Sequence, residues 1–97
     1  MSELKSHYVY ILKCSDETLY TGYTNNLAKR LKVHADGKGA KYTRARLPVS
    51  LQYIEEHDSK SSALKREYEI KQLTRKNKLK LINEYNAISS KKNEPKL

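Results

Sequence analysis

Two runs of strand-forming residues near the N-terminus, joined by a short polar turn, constrain the fold of this chain more than any other feature. Residues 7–14 and 18–24 are rich in tyrosine, valine, isoleucine and threonine, which favour β-strands. The turn between them, Ser-Asp-Glu at residues 15–17, has an odd number of residues. Facing positions then sum to an even number, so Tyr10 and Tyr20 are expected on the same face of the sheet. The sequence therefore predicts a hairpin that brings two phenols together.

The residues that follow the hairpin predict a helix that ends just before Gly37. Thr24 or Asn25 can cap its first turn, and Gly37 suits the left-handed conformation that often terminates helices. Arg30 and His34 are four residues apart, so they lie together along one edge of the helix. The expected buried stripe of this helix is Leu27, Leu31 and Ala35. The two polar side chains would therefore border whatever the stripe covers.

The second half of the chain predicts one strand and two helices. Alternating apolar residues indicate a strand within residues 49–57. Serines at the start of residues 59–73 can cap a helix of strong helix formers, and Thr74 can cap a last helix. The polar, proline-containing residues 87–97 predict a disordered tail. We therefore expect one folded domain over residues 1–86.

Size and cysteine content exclude several classes of protein. With 97 residues, the chain fits one small domain. Its single cysteine, Cys14, cannot form an intramolecular disulfide or a cysteine-rich zinc site, and it suits a reducing cytoplasm. The apolar runs fall well short of the roughly 20 residues that span a membrane, and the first residues lack the apolar stretch of a signal peptide. We expect a cytoplasmic protein with neither a membrane partner nor an obligate protein partner.

The charge of the chain indicates nucleic acid as a partner. Lys and Arg number 20 against 11 Asp and Glu, a formal charge of +9, which is the electrostatic footprint of nucleic-acid binders. Basic residues concentrate in residues 29–46 and 65–80, whereas acids cluster in residues 55–58. Residues 36–46 show no period, so this segment is either a flexible connection or a phosphate-contacting arm. The candidate contacts to nucleic acid are Lys38, Lys41, Tyr42, Arg44, Arg46 and Lys71.

A carboxylate stands on the apolar side of the second predicted helix. At about 100° per residue, Glu67 falls in the middle of the apolar arc of that helix. An ionised carboxylate buried without a partner is costly, so Glu67 is expected to meet a cation, a hydrogen-bond cluster or water. One interpretation is an ion pair with Arg30, Arg44 or Lys71. The other is a divalent-metal ligand, since Mg²⁺ or Mn²⁺ often takes one carboxylate together with waters and phosphate oxygens.

Tyrosine is the aromatic residue available for core packing, because Phe and Trp are absent. Most of the eight tyrosines are therefore expected to be core rings whose hydroxyls reach the surface. Tyr53, Tyr68 and Tyr85 fit this description best.

Five sequence elements, in order, resemble the GIY-YIG nuclease superfamily, in particular its small stand-alone bacterial members. They are Tyr8-Val9-Tyr10, Tyr20-Thr21-Gly22, Arg30, His34 and Glu67. The likeness covers roughly residues 6–83. It implies an α+β fold of order β-β-α-β-α-α, in which helices flank a three-stranded antiparallel sheet. It also implies hydrolysis of phosphodiester bonds with one divalent metal ion, Mg²⁺ or Mn²⁺.

By the same resemblance, individual residues take roles in cleavage. Tyr10 and Tyr20 match the two motif tyrosines, and Gly22 matches the motif glycine, whose missing side chain allows a close approach. Arg30 matches an arginine beside the scissile phosphate. Glu67 matches the metal-binding glutamate. Phosphodiester hydrolysis needs a metal and a cation for the developing charge. The metal-binding role that the resemblance gives Glu67 agrees with the metal-ligand interpretation of its position on the helix.

The general base stays open between three residues. A tyrosine with the ordinary pKa of about 10 is protonated at neutral pH, so Tyr10 or Tyr20 could serve only if neighbours stabilise its phenolate. His34 matches a family position that holds histidine or tyrosine. Its ordinary pKa of about 6.5 makes it the alternative.

Together these features predict a metal-dependent endonuclease that acts on DNA, with RNA as an alternative substrate. No segment resembles a recognition helix that reads base edges, so low sequence specificity and selection by DNA structure are expected, as in DNA repair or processing. The competing interpretation is a nucleic-acid-binding module that keeps the nuclease fold without cleaving. Cleavage distinguishes the two, because both would bind with steep salt dependence.

Overall fold

A three-stranded antiparallel sheet forms the centre of the protein, which a computed structural model describes over residues 6–93. Its strands are β1 (His7–Lys13), β2 (Leu19–Thr24) and β3 (Ser50–His57), in the spatial order β2-β1-β3. Leu12 faces Tyr20 in the β1–β2 pair, so facing positions sum to an even number. The predicted hairpin and its register are therefore confirmed.

Helices follow the strands in the predicted order, with one short helix added. Within residues 6–93 they are α1 (Leu27–Ala35), α2 (Lys41–Arg44), α3 (Lys60–Lys71) and α4 (Arg75–Asn93). Ser59 caps α3 by accepting the backbone N–H of Ser62, and Thr74 accepts the N–H of Asn77 at the start of α4. These two predicted caps are confirmed.

The hydrophobic core lies between one face of the sheet and helices α3 and α4. Its most buried members, none more than 4% exposed, are Val9, Ile11, Ala63, Ile70 and Ile82. Side chains alternate along a strand, so Tyr10 and Leu12 point to the opposite face of β1. Helix α1 lies on that side, where the Tyr10 hydroxyl contacts His34.

Helix α1 begins and packs differently from its prediction. Asn26 caps it by accepting the backbone N–H of Lys29, so the expected caps at Thr24 or Asn25 are wrong. Thr24 instead accepts the N–H of Asn26. Gly37 has the expected left-handed conformation, with φ of +77°.

The buried stripe of α1 is also rotated. Leu27 and Leu31 are half-buried and Ala35 is exposed, whereas His34 is only 1% exposed. The predicted inclusion of Ala35 is wrong because α1 packs on the sheet through the edge that carries His34. The adjacent position, about 100° around the helix, then faces solvent.

Strand β3 carries an irregularity that breaks its predicted alternation. Ile11 faces Tyr53, but the next residue of β1, Leu12, faces Leu51. Gln52 is therefore the extra residue of a β-bulge, and the side-chain alternation shifts there. As a result Tyr53 is buried, whereas Leu51 is 38% exposed.

Two of the three tyrosines predicted for the core lie there. The rings of Tyr53 and Tyr85 pack edge to face with centroids 5.2 Å apart. Tyr68 is 66% exposed, so its assignment to the core is wrong. The fully buried positions of α3 are Ala63 and Ile70, and the stripe that they define is too narrow to include Tyr68.

Helix α4 passes through the predicted domain boundary at residue 86 without a break. The sequence explains this, because residues 87–93 contain neither glycine nor proline and so nothing in them ends a helix. The rest of the predicted tail, residues 94–97, lies outside the described residues. Within residues 6–93, none of the helices is both long and apolar enough to cross a membrane.

Candidate functional site

The ring of Tyr10 extends from β1 across the neighbouring strand β2, and Gly22 leaves the space that it occupies. A Cβ atom at Gly22 would lie 2.5 Å from the Tyr10 hydroxyl oxygen and 2.6 Å from Cζ. Carbon atoms in contact normally stay about 3.5–4.0 Å apart. The glycine is therefore required by the position of Tyr10, which is 2% exposed.

A chain of buried hydrogen bonds leads away from Tyr10. Its hydroxyl lies 2.9 Å from Nε2 of His34, whose Nδ1 lies 2.9 Å from the hydroxyl of Thr43. The Thr43 hydroxyl donates to the backbone carbonyl of Ala40 at 3.0 Å. Tyr10, His34 and Thr43 are each at most 2% exposed. The chain therefore joins β1, α1 and α2 in the interior.

The surroundings of these hydrogen-bonded side chains keep Tyr10 and His34 uncharged. Burial raises the pKa of Tyr10 far above its usual range, and the nearby Tyr20 hydroxyl adds to that effect. Burial lowers the pKa of His34, and the Arg30 guanidinium lowers it further. At neutral pH, Tyr10 is therefore a phenol and His34 a neutral imidazole.

The structure brings together the five residues that the motif predicted. The Tyr20 ring centroid lies 6.5 Å from that of Tyr10 and 5.5 Å from that of His34. Arg30 and Glu67 lie close enough to act electrostatically on the Tyr10 hydroxyl, Arg30 lowering and Glu67 raising its pKa. Arg30 is exposed, so its guanidinium is available to an anion.

Glu67 is shielded and paired with one of the predicted cations. Its side chain is 18% exposed, and its carboxylate lies 3.2 Å from the ammonium group of Lys71 in the next turn of α3. Among residues 6–93, no three histidine, cysteine or acidic side chains come together as metal ligands. A divalent ion held here by Glu67 would have one protein carboxylate and would need waters and phosphate oxygens to complete its shell.

Residues 36–46 are not a flexible connection. They contain α2, and the ring of Tyr42 stacks on that of Tyr20, with centroids 6.2 Å apart and planes 20° apart. The Arg46 guanidinium lies 3.8 Å from the centroid of the Tyr42 ring and also pairs with Asp16 at 3.0 Å. Arg46 therefore ties this segment to the β1–β2 turn.

The remaining basic candidates lie at the surface. Lys38, Lys41 and Arg44 are exposed. A cleft of about 320 Å³ beside β2 is lined by Leu19, Tyr20, Thr21, Tyr42, Lys71 and Lys78. Tyr20, Tyr42 and Lys71 were site predictions, whereas Lys78 was not singled out within its basic region.

Two further residues of the site were missed from the sequence. Thr43 hydrogen-bonds His34, and Gly39 lies so close to the His34 ring that a Cβ there would overlap Nδ1. Neither residue belongs to a periodic segment or to the motif. Their partner on α1 becomes visible only in the folded protein.

Comparison with known proteins agrees with this geometry. The sequence matches the GIY-YIG catalytic domain over residues 6–93. The chain belongs to the GIY-YIG family, whose members are nucleases that generally use divalent metals. The family predicted from the motif is therefore confirmed.

Two of the close relatives are bacterial proteins. A UPF0213 protein of Bacillus licheniformis is 60% identical over 82 residues, which cover 84% of each chain. A UPF0213 protein of Clostridium perfringens is 63% identical over 76 residues, which cover 78% of this chain and 82% of the relative. The names of these relatives state no activity.

Solved structures of relatives share the fold. The solution NMR structure of a UPF0213 protein from Bacillus halodurans is 51% identical and has a TM-score of 0.54 over 79% of this chain and 82% of its own. That of a protein from E. faecalis is 40% identical, with a TM-score of 0.59 over 90% and 93%. The predicted fold class, helices flanking a three-stranded antiparallel sheet, is confirmed.

Proposed function

We propose that this protein is a divalent-metal-dependent endonuclease that hydrolyses phosphodiester bonds in DNA. Low sequence specificity, selection by DNA structure, and a place in DNA repair or processing belong to the same proposal, with RNA as an alternative substrate. The observation that carries it is the convergence of Tyr10, Tyr20, Arg30, His34 and Glu67 beside a basic cleft.

Glu67 is proposed to hold one Mg²⁺ or Mn²⁺ ion. The ion, when bound, supplies polarisation of the phosphate and stabilisation of the leaving oxygen. Glu67 would hold the ion in place of its ion pair with Lys71, which would leave the Lys71 ammonium group available to a phosphate. Arg30 contacts the scissile phosphate, where its guanidinium stabilises the charge that develops in the transition state.

The general base is proposed to be the pair of Tyr10 and His34. The Tyr10 hydroxyl takes a proton from the attacking water as it passes its own proton to Nε2 of His34, 2.9 Å away. The water oxygen forms its bond to phosphorus, and the bond to the leaving oxygen breaks. The raised pKa of Tyr10 rules out a resting phenolate, so Tyr10 needs an acceptor behind it, and neutral His34 is that acceptor.

Tyr20 is proposed to contact the substrate. Its hydroxyl makes no hydrogen bond to another described residue, and its ring lines the cleft. The exposed basic residues around the cleft are proposed to bind the nucleic-acid backbone.

Two neighbouring glutamates on α3 offer a matched test. Glu67→Gln is expected to reduce nicking of supercoiled plasmid or branched DNA by about 100-fold or more, and Arg30→Ala is expected to do the same. Glu69→Gln alters an exposed carboxylate that pairs with Arg66, so it should cleave like the wild type. Cleavage is measured with Mg²⁺ and with Mn²⁺, and DNA binding of each variant is measured in parallel.

One observation favours a second candidate, the non-catalytic nucleic-acid-binding module. Glu67 already has a cation partner in Lys71, and an ion pair alone would explain its shielded position. Purified wild type that binds DNA but cleaves neither DNA nor RNA with either metal would overturn the enzyme proposal in favour of this module. Loss of cleavage in Glu67→Gln with unchanged binding would eliminate the module.

A further inference from the structure

We infer that Thr43 is a positioning residue that holds the proton of neutral His34 on Nδ1, so that Nε2 stays open to the Tyr10 hydroxyl. This inference rests on the proposed function, because it concerns the residue that prepares the Tyr10–His34 pair. It assigns residues 39–43 a role in positioning His34, which differs from contact with phosphate.

The direction of the hydrogen bonds follows from the single proton of a threonine hydroxyl. The Thr43 hydroxyl donates to the Ala40 carbonyl at 3.0 Å, so its proton is committed. It can then only accept from His34, which places a proton on Nδ1, 2.9 Å away. Nε2 is left with a lone pair and accepts from the Tyr10 hydroxyl.

The opposite tautomer would break two buried hydrogen bonds: Thr43 would leave the Ala40 carbonyl, and the Tyr10 hydroxyl proton would lose its acceptor on His34. With its proton on Nε2, His34 would need a donor at Nδ1, and Thr43 could supply one only by giving up the Ala40 carbonyl. Thr43 is fully buried and His34 is 1% exposed, so neither group can turn to solvent instead. Buried polar groups without hydrogen bonds are costly, and the arrangement therefore selects one tautomer.

Packing holds the His34 ring in the plane that this selection needs. A Cβ at Gly39 would lie 2.8 Å from Cε1 and 2.9 Å from Cγ of the ring, so the backbone of residue 39 lies directly against it. The Ala40 carbonyl also accepts the backbone N–H of Arg44 in the first turn of α2. Thr43 and its acceptor are therefore fixed within one short helix.

The charge of the partner suits a base that must release its proton again. An orienting carboxylate would stabilise an imidazolium ion, whereas the threonine hydroxyl is neutral. The titratable or charged groups that face His34 are Tyr10 from β1, Tyr20 from β2 and Arg30 from its own helix. None of these described groups is a carboxylate that would stabilise protonated His34.

The tautomer can be measured without any cleavage. Long-range ¹H–¹⁵N spectra of the ¹⁵N-labelled full chain distinguish Nδ1–H from Nε2–H, and the His34 signals are identified by replacing His7 and His57 in turn. Wild type is expected to show His34 as Nδ1–H, as is Thr43→Ser, which keeps the hydroxyl. Thr43→Val, of similar shape, is expected to give a mixture or Nε2–H. Wild-type His34 protonated on Nε2, or no change in Thr43→Val, would overturn the inference.

Cleavage then tests the consequence for the reaction. Thr43→Val is expected to lower kcat roughly 10- to 100-fold, a part of the ~10²–10⁴-fold that a general base contributes, with KM unchanged and Thr43→Ser close to the wild type. A changed tautomer with unchanged kcat would overturn the positioning role. Wild type that does not cleave would end the proposed function, while the spectra still decide the tautomer.

Discussion

At the scale of single residues, the candidate site depends on two positions without a side chain. Gly22 leaves space for the Tyr10 ring and Gly39 for the His34 ring. Gly22 was found from the sequence because it belongs to a motif. Gly39 and Thr43 were not, because their relation to His34 exists only once α1 and α2 lie side by side.

Gly22→Ala tests the first of these close contacts. The variant is expected to lower the free energy of unfolding by about 1–3 kcal/mol, because its Cβ would lie 2.6 Å from Tyr10 Cζ and the ring would have to move. Urea unfolding measures the loss. In a Tyr10→Leu background the added methyl group meets less obstruction, so its cost should shrink. Equal costs in the two backgrounds would contradict the contact.

At the scale of elements, the sequence could predict the features that depend on neighbouring residues. It could not predict those that depend on tertiary contacts. The hairpin register, the cap at Ser59 and the left-handed Gly37 follow from neighbouring residues, and they are confirmed. The bulge at Gln52 depends on how β3 pairs with β1, and the exposure of Tyr68 depends on how α3 packs. No short window of sequence contains that information.

A polar network between β3 and α3 is another product of packing. Tyr53 donates to the Glu55 carboxylate at 2.6 Å, His57 Nε2 lies 2.7 Å from it, and Arg66 Nε donates at 3.0 Å. Burial alone would raise the pKa of Glu55, but these hydrogen bonds outweigh burial and hold the pKa below its usual range. Burial, followed by the hydrogen bond to the same carboxylate, raises the pKa of Tyr53 to about 12. The sequence showed an acidic cluster here, but it did not predict that Tyr53, His57 and Arg66 surround the Glu55 carboxylate.

Glu55→Gln is therefore expected to destabilise the protein in a pH-dependent way. A carboxylate with a depressed pKa contributes stability above its unfolded pKa of about 4.3 and loses it as the pH falls through the folded value. Near pH 7 the variant should lose about 1–3 kcal/mol of unfolding free energy, and the gap to the wild type should close below pH 4. Urea titrations across this range measure it.

The exposed Glu69→Gln serves as the control for that experiment. Its carboxylate makes one long contact to Arg66, at 3.4 Å, so its effect should stay within about 0.5 kcal/mol. A gap between wild type and Glu55→Gln that widens toward low pH would contradict the assigned role of the network.

At the scale of the whole molecule, the fold determines which basic residues lie together at one surface. The formal charge of +9 predicted a nucleic-acid partner, but composition cannot place a binding surface. Folding brings Lys71 of α3 and Lys78 of α4 to the same cleft as Tyr20. The two helices are consecutive, but the sequence does not show that Lys71 and Lys78 reach the same cleft.

Salt dependence of DNA binding tests this surface. Each phosphate contact adds about 0.9 to the slope of log K against log salt concentration, so Lys71→Ala and Lys78→Ala are each expected to reduce the slope by about one. Lys32→Ala removes the same charge from α1, where Lys32 pairs with Asp36 at 3.0 Å, and should change the slope little. Equal reductions in all three variants would indicate a general charge effect without a defined surface.

The spatial order β2-β1-β3 leaves β2, with Tyr20 and Gly22, at the margin of the sheet. Among residues 6–93 the cleft is lined by residues of the edge strand, α2, α3 and α4, and we therefore expect a polymer to enter it from the side. The end of a nucleic-acid strand would not have to pass through the protein. A covalently closed circle should therefore gain entry as readily as a linear fragment.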